Sequence, residues 1–103
     1  MKGLDMIAAD TLDTVLLSSG IYLINLRSRE EFDKWHLAGA HSIPYDQFGD
    51  AGKLPRSKKL VLYCDRGSAS LVKGRELARQ GFRVQSVIGG IQAYKNFKAS
   101  VGR

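Results

Sequence analysis

The run Leu60-Val61-Leu62-Tyr63 ends at Cys64, the only cysteine among 103 residues. It leads through Asp65-Arg66-Gly67-Ser68-Ala69-Ser70 into a helical pattern stopped by Gly81. An apolar strand feeding a helix through a short Gly/Ser loop is the repeating unit of a parallel sheet, and it restricts the chain to α/β architectures. Such a loop aims several backbone N–H groups at one point, above the positive end of the helix dipole. A thiol at that point would have its anionic form favoured, and the thiolate is the reactive species. Two readings of Cys64 therefore stand side by side. It is either a nucleophile in an anion-binding cradle or a buried, inert apolar filler. A filler belongs within the apolar run. Cys64 instead stands at the strand's exit, where parallel sheets carry their binding loops.

The rest of the chain repeats the alternation. Met6-Ile7 reads as a short first strand, and Asp10 as the N-cap of a helix with Leu12, Val15 and Leu16 on one face, ending before Gly20. Ile21 to Leu26 is nearly continuous apolar sequence, as expected of a strand covered on both faces. Ser28-Arg29-Glu30-Glu31 has capping-box spacing, which starts a short helix with Phe32 and Trp35 on its buried face. His41-Ser42-Ile43 is a brief strand, and residues 45–59 form a polar surface connection with at most one helical turn. In the helix after Cys64, Leu77 and Ala78 face the sheet, Gly74 permits close approach, and Gly81 serves as the C-terminal stop. Arg83 to Ile88 makes the last strand; Gly89-Gly90 turns the chain into a closing helix, Ile91 to Phe97. The expectation is one domain over 1–103, a parallel sheet with helices on both faces, and Cys64 beyond the carboxyl ends of the strands.

Charge narrows the partners. Residues 1–52 carry four Lys/Arg and eight Asp/Glu, a balance of −4; residues 53–103 carry twelve and two, a balance of +10. The half containing Cys64 attracts anions: small oxyanions, thiolates or an acidic protein. Its basic residues are scattered without the aromatic interleaving of single-strand binders, so nucleic acid is not expected. No run has the length or polarity of a membrane span or signal peptide, so a cytoplasmic location is expected, with no membrane partner. A single cysteine cannot form an internal disulfide or resolve its own oxidised or sulfur-loaded state, so an outside molecule must discharge it. No His/Cys/Asp/Glu group has metal-ligand spacing, and no cofactor is implied. The sequence leaves the oligomeric state open.

Three stretches together resemble the rhodanese homology domain in its small single-domain form. Leu23 to Phe32, continued by His36-Leu37-Ala38-Gly39-Ala40-His41-Ser42-Ile43-Pro44, is similar to the family's first signature. That signature is a strand ending in Asp-x-Arg, an acidic helix, then His-apolar-x-Gly-Ala and Ile-Pro. Gly89-Gly90-Ile91-Gln92-Ala93-Tyr94 resembles the second, and Cys64 with Gly67 and Ser70 resembles the active-site loop between them. The resemblance implies a rhodanese-like three-layer sandwich with a mostly parallel five-stranded sheet. It also implies a sulfurtransferase of the thiosulfate type, with Cys64 as catalytic persulfide carrier. Asp65, Arg66, Gly67, Ser68, Ala69 and Ser70 would form the substrate-binding loop. Donors would be thiosulfate or another persulfide; acceptors would be a thiol or a sulfur-carrier protein.

The chain departs from the pattern at Asn25, where the family commonly has Asp, and at Ala69, where many sulfurtransferases carry Arg. Arg27 and Glu31 match family positions and read as a structural pair tying strand to helix. His36 also matches and reads as structural. Two other functions remain to be weighed: a non-catalytic protein-interaction module, and a phosphatase or arsenate reductase on the same fold. The latter needs an arginine six residues after the cysteine to grip a tetrahedral oxyanion. Ser70 holds that position.

Overall fold

The computed structural model describes residues 3–49 and 51–101. Five strands, β1 (Leu4–Ile7), β2 (Ile21–Asn25), β3 (His41–Ser42), β4 (Lys59–Tyr63) and β5 (Val84–Val87), form one sheet in the order β1-β5-β4-β2-β3. Every pairing is parallel, so the mostly parallel sheet expected from the sequence is parallel throughout its described strands. The helices are α1 (Leu12–Leu16), α2 (Arg29–Lys34), α3 (Ser68–Arg79) and α4 (Gly90–Val101). No helix among the described residues is long and apolar enough to cross a membrane.

β4 lies at the centre because it is apolar on both faces. Leu60, Val61, Leu62 and Tyr63 are all fully buried, as a strand with helical layers on either side requires. Alternation splits them: Leu60 and Leu62 join Leu77 of α3 and Phe82 in one core, while Val61 and Tyr63 join Leu12 of α1 and Ile91 and Tyr94 of α4 in the other. The result is three layers. Gly74 lets α3 close on the sheet: a Cβ there would stand 3.0 Å from Leu4 Cδ1 and 3.5 Å from Val84 Cγ1. The stop at Gly81 (φ +94°) is a Schellman turn. Phe82 N–H donates to the Leu77 carbonyl at 3.2 Å and Gly81 N–H to the Ala78 carbonyl at 3.0 Å.

Several local expectations give way to tertiary structure. Asp10 is not a cap; it lies inside a 3-10 turn, Ala9–Thr11, that precedes α1 and is closed by Thr11 bonding to the Ala8 carbonyl. Ser28 does cap α2, accepting the Glu31 N–H at 3.1 Å. Yet α2 buries no residue. Trp35 is exposed under Lys95 Nζ, and the Phe32 ring stacks on His36 at the surface. Ion pairs rather than packing anchor this helix, because the Glu31 carboxylate is taken by Arg27 at the strand exit. The described residues of the 45–59 connection contain two 3-10 turns, Tyr45–Gln47 and Ala51–Lys53, where at most one was expected, and Ala51 seats in the α3-side core. α4 runs past Phe97 to Val101.

α4 is held to α1 by Asp13, whose carboxylate accepts from Tyr94 Oη at 2.6 Å and from Lys98 Nζ at 2.7 Å. These bonds, the Lys98 one foremost, hold the Asp13 carboxyl below its ordinary value. Burial, reinforced by Asp13, pushes the Tyr94 phenol up to about 12. An unfolded tyrosine ionises near 10, so this contribution is complete below about pH 10 and is lost as pH rises through about 12. Thermal unfolding midpoints should therefore fall more steeply between these pH values in the native chain than in Tyr94→Phe. At neutral pH that variant should lose about 1 kcal/mol. Parallel midpoint-versus-pH curves for the two proteins would remove this linkage.

Candidate active site

Chain connections leave the sheet in opposite directions between β2 and β4: β2 leads through α2 to β3 at one edge, β4 through α3 to β5 on the other side. Such a switch point opens a crevice at the carboxyl ends of the strands. Here it is a cavity of about 470 Å³, lined by Leu26, Arg27 and Ser28 from the β2 exit and by Cys64, Asp65, Arg66, Ser68 and Ala69 from the β4 exit.

Cys64 is nearly buried, 6% exposed, at the floor. Gly67 N–H donates to its Sγ at 3.0 Å and Ser70 N–H at 3.4 Å. The turn is possible because Gly67 has φ +100°, a conformation costly for residues with a Cβ. A Cβ there would also stand 2.9 Å from Gly89 N and 3.3 Å from the Val87 carbonyl. Of the two donors, Ser70 N–H belongs to the first turn of α3, where helical amides have no partner within the helix. The arrangement complements negative charge on sulfur.

A second helix fixes the loop from behind. Ile91 N–H donates to the Cys64 carbonyl at 2.8 Å and Gln92 N–H to the Asp65 carbonyl at 3.0 Å, so the free amides of α4 cap the backbone of the Cys64 loop. Gly90 (φ +63°) makes this approach possible, since a Cβ would collide with the Cys64 carbonyl oxygen. Gly89-Gly90 is thus more than a turn signal: it is where α4 meets the loop.

Arg27 clamps the side wall. Its guanidinium is 4% exposed and donates to Asp65 Oδ1 at 2.9 Å, Glu31 Oε2 at 3.1 Å and the Trp35 carbonyl at 2.9 Å. The pairing with Glu31 is as the sequence suggests; the pairing with Asp65 is the additional feature, joining the β2 exit to the loop. Beneath it, Asn25 is fully buried. Its Oδ1 accepts the Arg27 N–H at 2.8 Å, which turns its amide Nδ2 to donate to Tyr63 Oη at 2.9 Å. Leu37 N–H also donates to that hydroxyl. Burial raises the Tyr63 phenol, and the neutral Asn25 meets this network without adding a buried charge.

The residues singled out from sequence divide in three. Cys64 and the Gly67 and Ser70 amides converge on one point. Arg66, Ser68 and Ala69 line the cavity, with Arg66 exposed and without an ion pair among the described residues. Asp65 lines it too, but its carboxylate is engaged by Arg27. His36 bonds the Phe32 carbonyl at 2.8 Å on the outer face of α2, as a structural histidine does. Ser86 was not signalled beyond being a polar residue in an apolar strand; it is fully buried with its hydroxyl 2.7 Å from that of Ser70. Among the described residues no group of three or more His, Cys, Asp and Glu side chains could hold a metal ion.

The family model of the rhodanese-like domain matches residues 8–97. A tRNA sulfurtransferase of Desulfurococcus amylolyticus is 40% identical over 73 residues, covering 71% of this chain and 14% of that protein. The chain thus spans about one seventh of the length of that relative. The chloroplastic thiosulfate sulfurtransferase 16 of Arabidopsis thaliana is 29% identical, with 77% of this chain and 78% of that protein covered. In structure, a rhodanese-like domain protein from Staphylococcus aureus superimposes with a TM-score of 0.80 at 25% identity, over 87% of this chain and 90% of that one.

Proposed function

The chain belongs to the rhodanese-like domain family, and from that premise we propose that it is a sulfurtransferase carrying sulfane sulfur as a Cys64 persulfide. The observation that supports this most directly is the Cys64 sulfur lining the crevice at the strand ends, bonded by the Gly67 and Ser70 amides. Relatives named as sulfurtransferases add support.

In the first half-reaction the Cys64 thiolate attacks the outer sulfur of thiosulfate. The S–S bond of the donor breaks, sulfite departs with the bonding electrons, and Cys64 holds a persulfide anion. Arg66 at the open rim draws in the dianion. Gly67 and Ser70 N–H groups stabilise negative charge without reorganising, while Ser68 and Ala69 wall the terminal sulfur's space. Asp65 aligns the loop through Arg27 and stands at the rim. In the second half-reaction an acceptor thiolate, free or on a carrier protein, attacks the terminal sulfur and regenerates Cys64. No net oxidation occurs, and the two steps predict ping-pong kinetics. Phosphoryl or arsenate chemistry is disfavoured because Ser70, at the position of the oxyanion-gripping arginine, is fully buried and bonded to Ser86.

Incubation with thiosulfate followed by intact-protein mass spectrometry tests the proposal. One added sulfur is expected, removed by cyanide or a thiol. An unchanged mass under excess of both thiosulfate and a low-molecular-weight persulfide would refute it.

A further inference from the structure

Behind the Cys64 sulfur lies a pair of hydroxyls that the transfer chemistry above does not use. Ser70 and Ser86 are both fully buried, with oxygens 2.7 Å apart. Ser70 Oγ is also 3.1 Å from the Gly67 carbonyl and 3.6 Å from Cys64 Sγ, a distance within hydrogen-bond reach for sulfur.

The hydrogens of this cluster can be assigned by counting acceptors. Ser86 Oγ has no side-chain partner other than Ser70 among the described residues. A buried hydroxyl hydrogen left without an acceptor is costly, so Ser86 donates to Ser70. That leaves the Ser70 hydrogen with two possible acceptors, the Gly67 carbonyl and Cys64 Sγ. With a neutral thiol, S–H donates to Ser70 Oγ and Ser70 donates to the Gly67 carbonyl. With an anionic sulfur, the Ser70 hydrogen swings to Sγ. The Gly67 carbonyl is not stranded by this swing, because Leu71 N–H also donates to it at 3.1 Å. In both states Ser70 Oγ keeps the bond from Ser86.

We propose that Ser86, on β5 and outside the active-site loop, is a positioning residue. By donating to Ser70 it frees the Ser70 hydroxyl to act as a rotating third donor to the Cys64 sulfur. No proton passes along the pair; the thiol proton leaves to water at the cavity mouth and one O–H bond rotates. Chains of hydroxyls polarise one another, so the Ser86 bond strengthens the one Ser70 gives. The inference rests on Cys64 being the nucleophile of the proposed reaction.

Alkylation of Cys64 by iodoacetamide at fixed neutral pH tests it, because that rate reads the anionic sulfur whether or not the protein transfers sulfur. Ser70→Ala should slow alkylation about tenfold, the worth of one hydrogen bond to a charged group. Ser86→Ala should slow it about threefold, as expected of a bond acting at one remove. The double variant should be no slower than Ser70→Ala, since Ser86 acts through Ser70. Ser86→Thr, which keeps the hydroxyl on a strand-compatible residue, should react like the native chain. Far-ultraviolet spectra and urea midpoints matching the native chain separate this slowing from a displaced loop, which would also lose the Gly67 and Ser70 amide bonds to sulfur. A native or faster rate in Ser86→Ala, or losses that multiply in the double variant, would overturn the role of Ser86. A native protein that takes up no sulfur from thiosulfate would refute the transferase reading alone and leave the alkylation pattern standing.

Discussion

Replacing Cys64 with serine should abolish sulfur loading and lower thiosulfate:cyanide turnover by at least about 10⁴-fold, the scale on which loss of a covalent nucleophile is felt. The substitution changes one atom. Serine oxygen can accept the same Gly67 and Ser70 amides, so the loop and its stability should persist. What disappears is a polarisable sulfur nucleophile that forms a stable bond to sulfur. The chain holds no second cysteine to take over. Intact-protein mass after thiosulfate should therefore be unchanged for Cys64→Ser, and its far-ultraviolet spectrum and urea midpoint should match the native protein within about 0.5 kcal/mol. Sulfur uptake by the variant would move the carrier role elsewhere.

Gly90→Ala should be strongly damaging, because an added methyl there meets backbone more closely than at Gly67 or Gly89. At φ +63° a Cβ costs about 1 kcal/mol in backbone strain alone. Here it would also stand 2.7 Å from both Arg66 N and the Asp65 carbonyl carbon, and closer still to the Cys64 carbonyl oxygen. These are backbone atoms and cannot swing aside, so either the loop or α4 must move. Movement breaks the Ile91–Cys64 and Gln92–Asp65 bonds that seat the loop. We expect a loss of about 3 kcal/mol or more in urea unfolding and at least about a hundredfold loss in the rate of sulfur loading. Gly39→Ala supplies the control. It has φ +82° but nothing within 4 Å of the added methyl, so it should cost only about 1 kcal/mol and leave loading intact. Equal effects at the two glycines would mean that strain, not the seating of α4, accounts for the loss.

Both variants probe a site whose parts differed in how plainly the chain displayed them. Cys64, Gly67 and Ser70 were visible because strand, loop and helix follow one another within a dozen residues, and local geometry alone turns the amides toward the strand exit. The Arg27–Glu31 pair was visible for the same reason, four residues apart around a capped helix start. By contrast, the bond from Arg27 to Asp65 spans 38 residues, and the Ser70–Ser86 contact spans 16 across a crossover. Neither has a local signature. Phe32 and Trp35 have helical spacing and were expected inside, but Phe32 is only half-buried and Trp35 is exposed. Asp10 had the chemistry of a cap, but the turn before α1 takes it in, and the cap positions fall to Ala8 and Thr11.

The order of apolar runs, glycine stops and the cysteine at a strand exit determined the architecture and the place of the Cys64 sulfur at the head of a helix, because hydrophobic periodicity and turn chemistry act over a few residues. Register between β2, β4 and β5 decided what surrounds that sulfur beyond its own loop. It set Tyr63 opposite Asn25 and Ser86 opposite Leu62. The docking of α4 onto the Cys64 and Asp65 carbonyls then closed the shell. Those neighbours come from distant parts of the chain, and only packing of the whole sheet, which fixes strand order and register together, brings them to the sulfur.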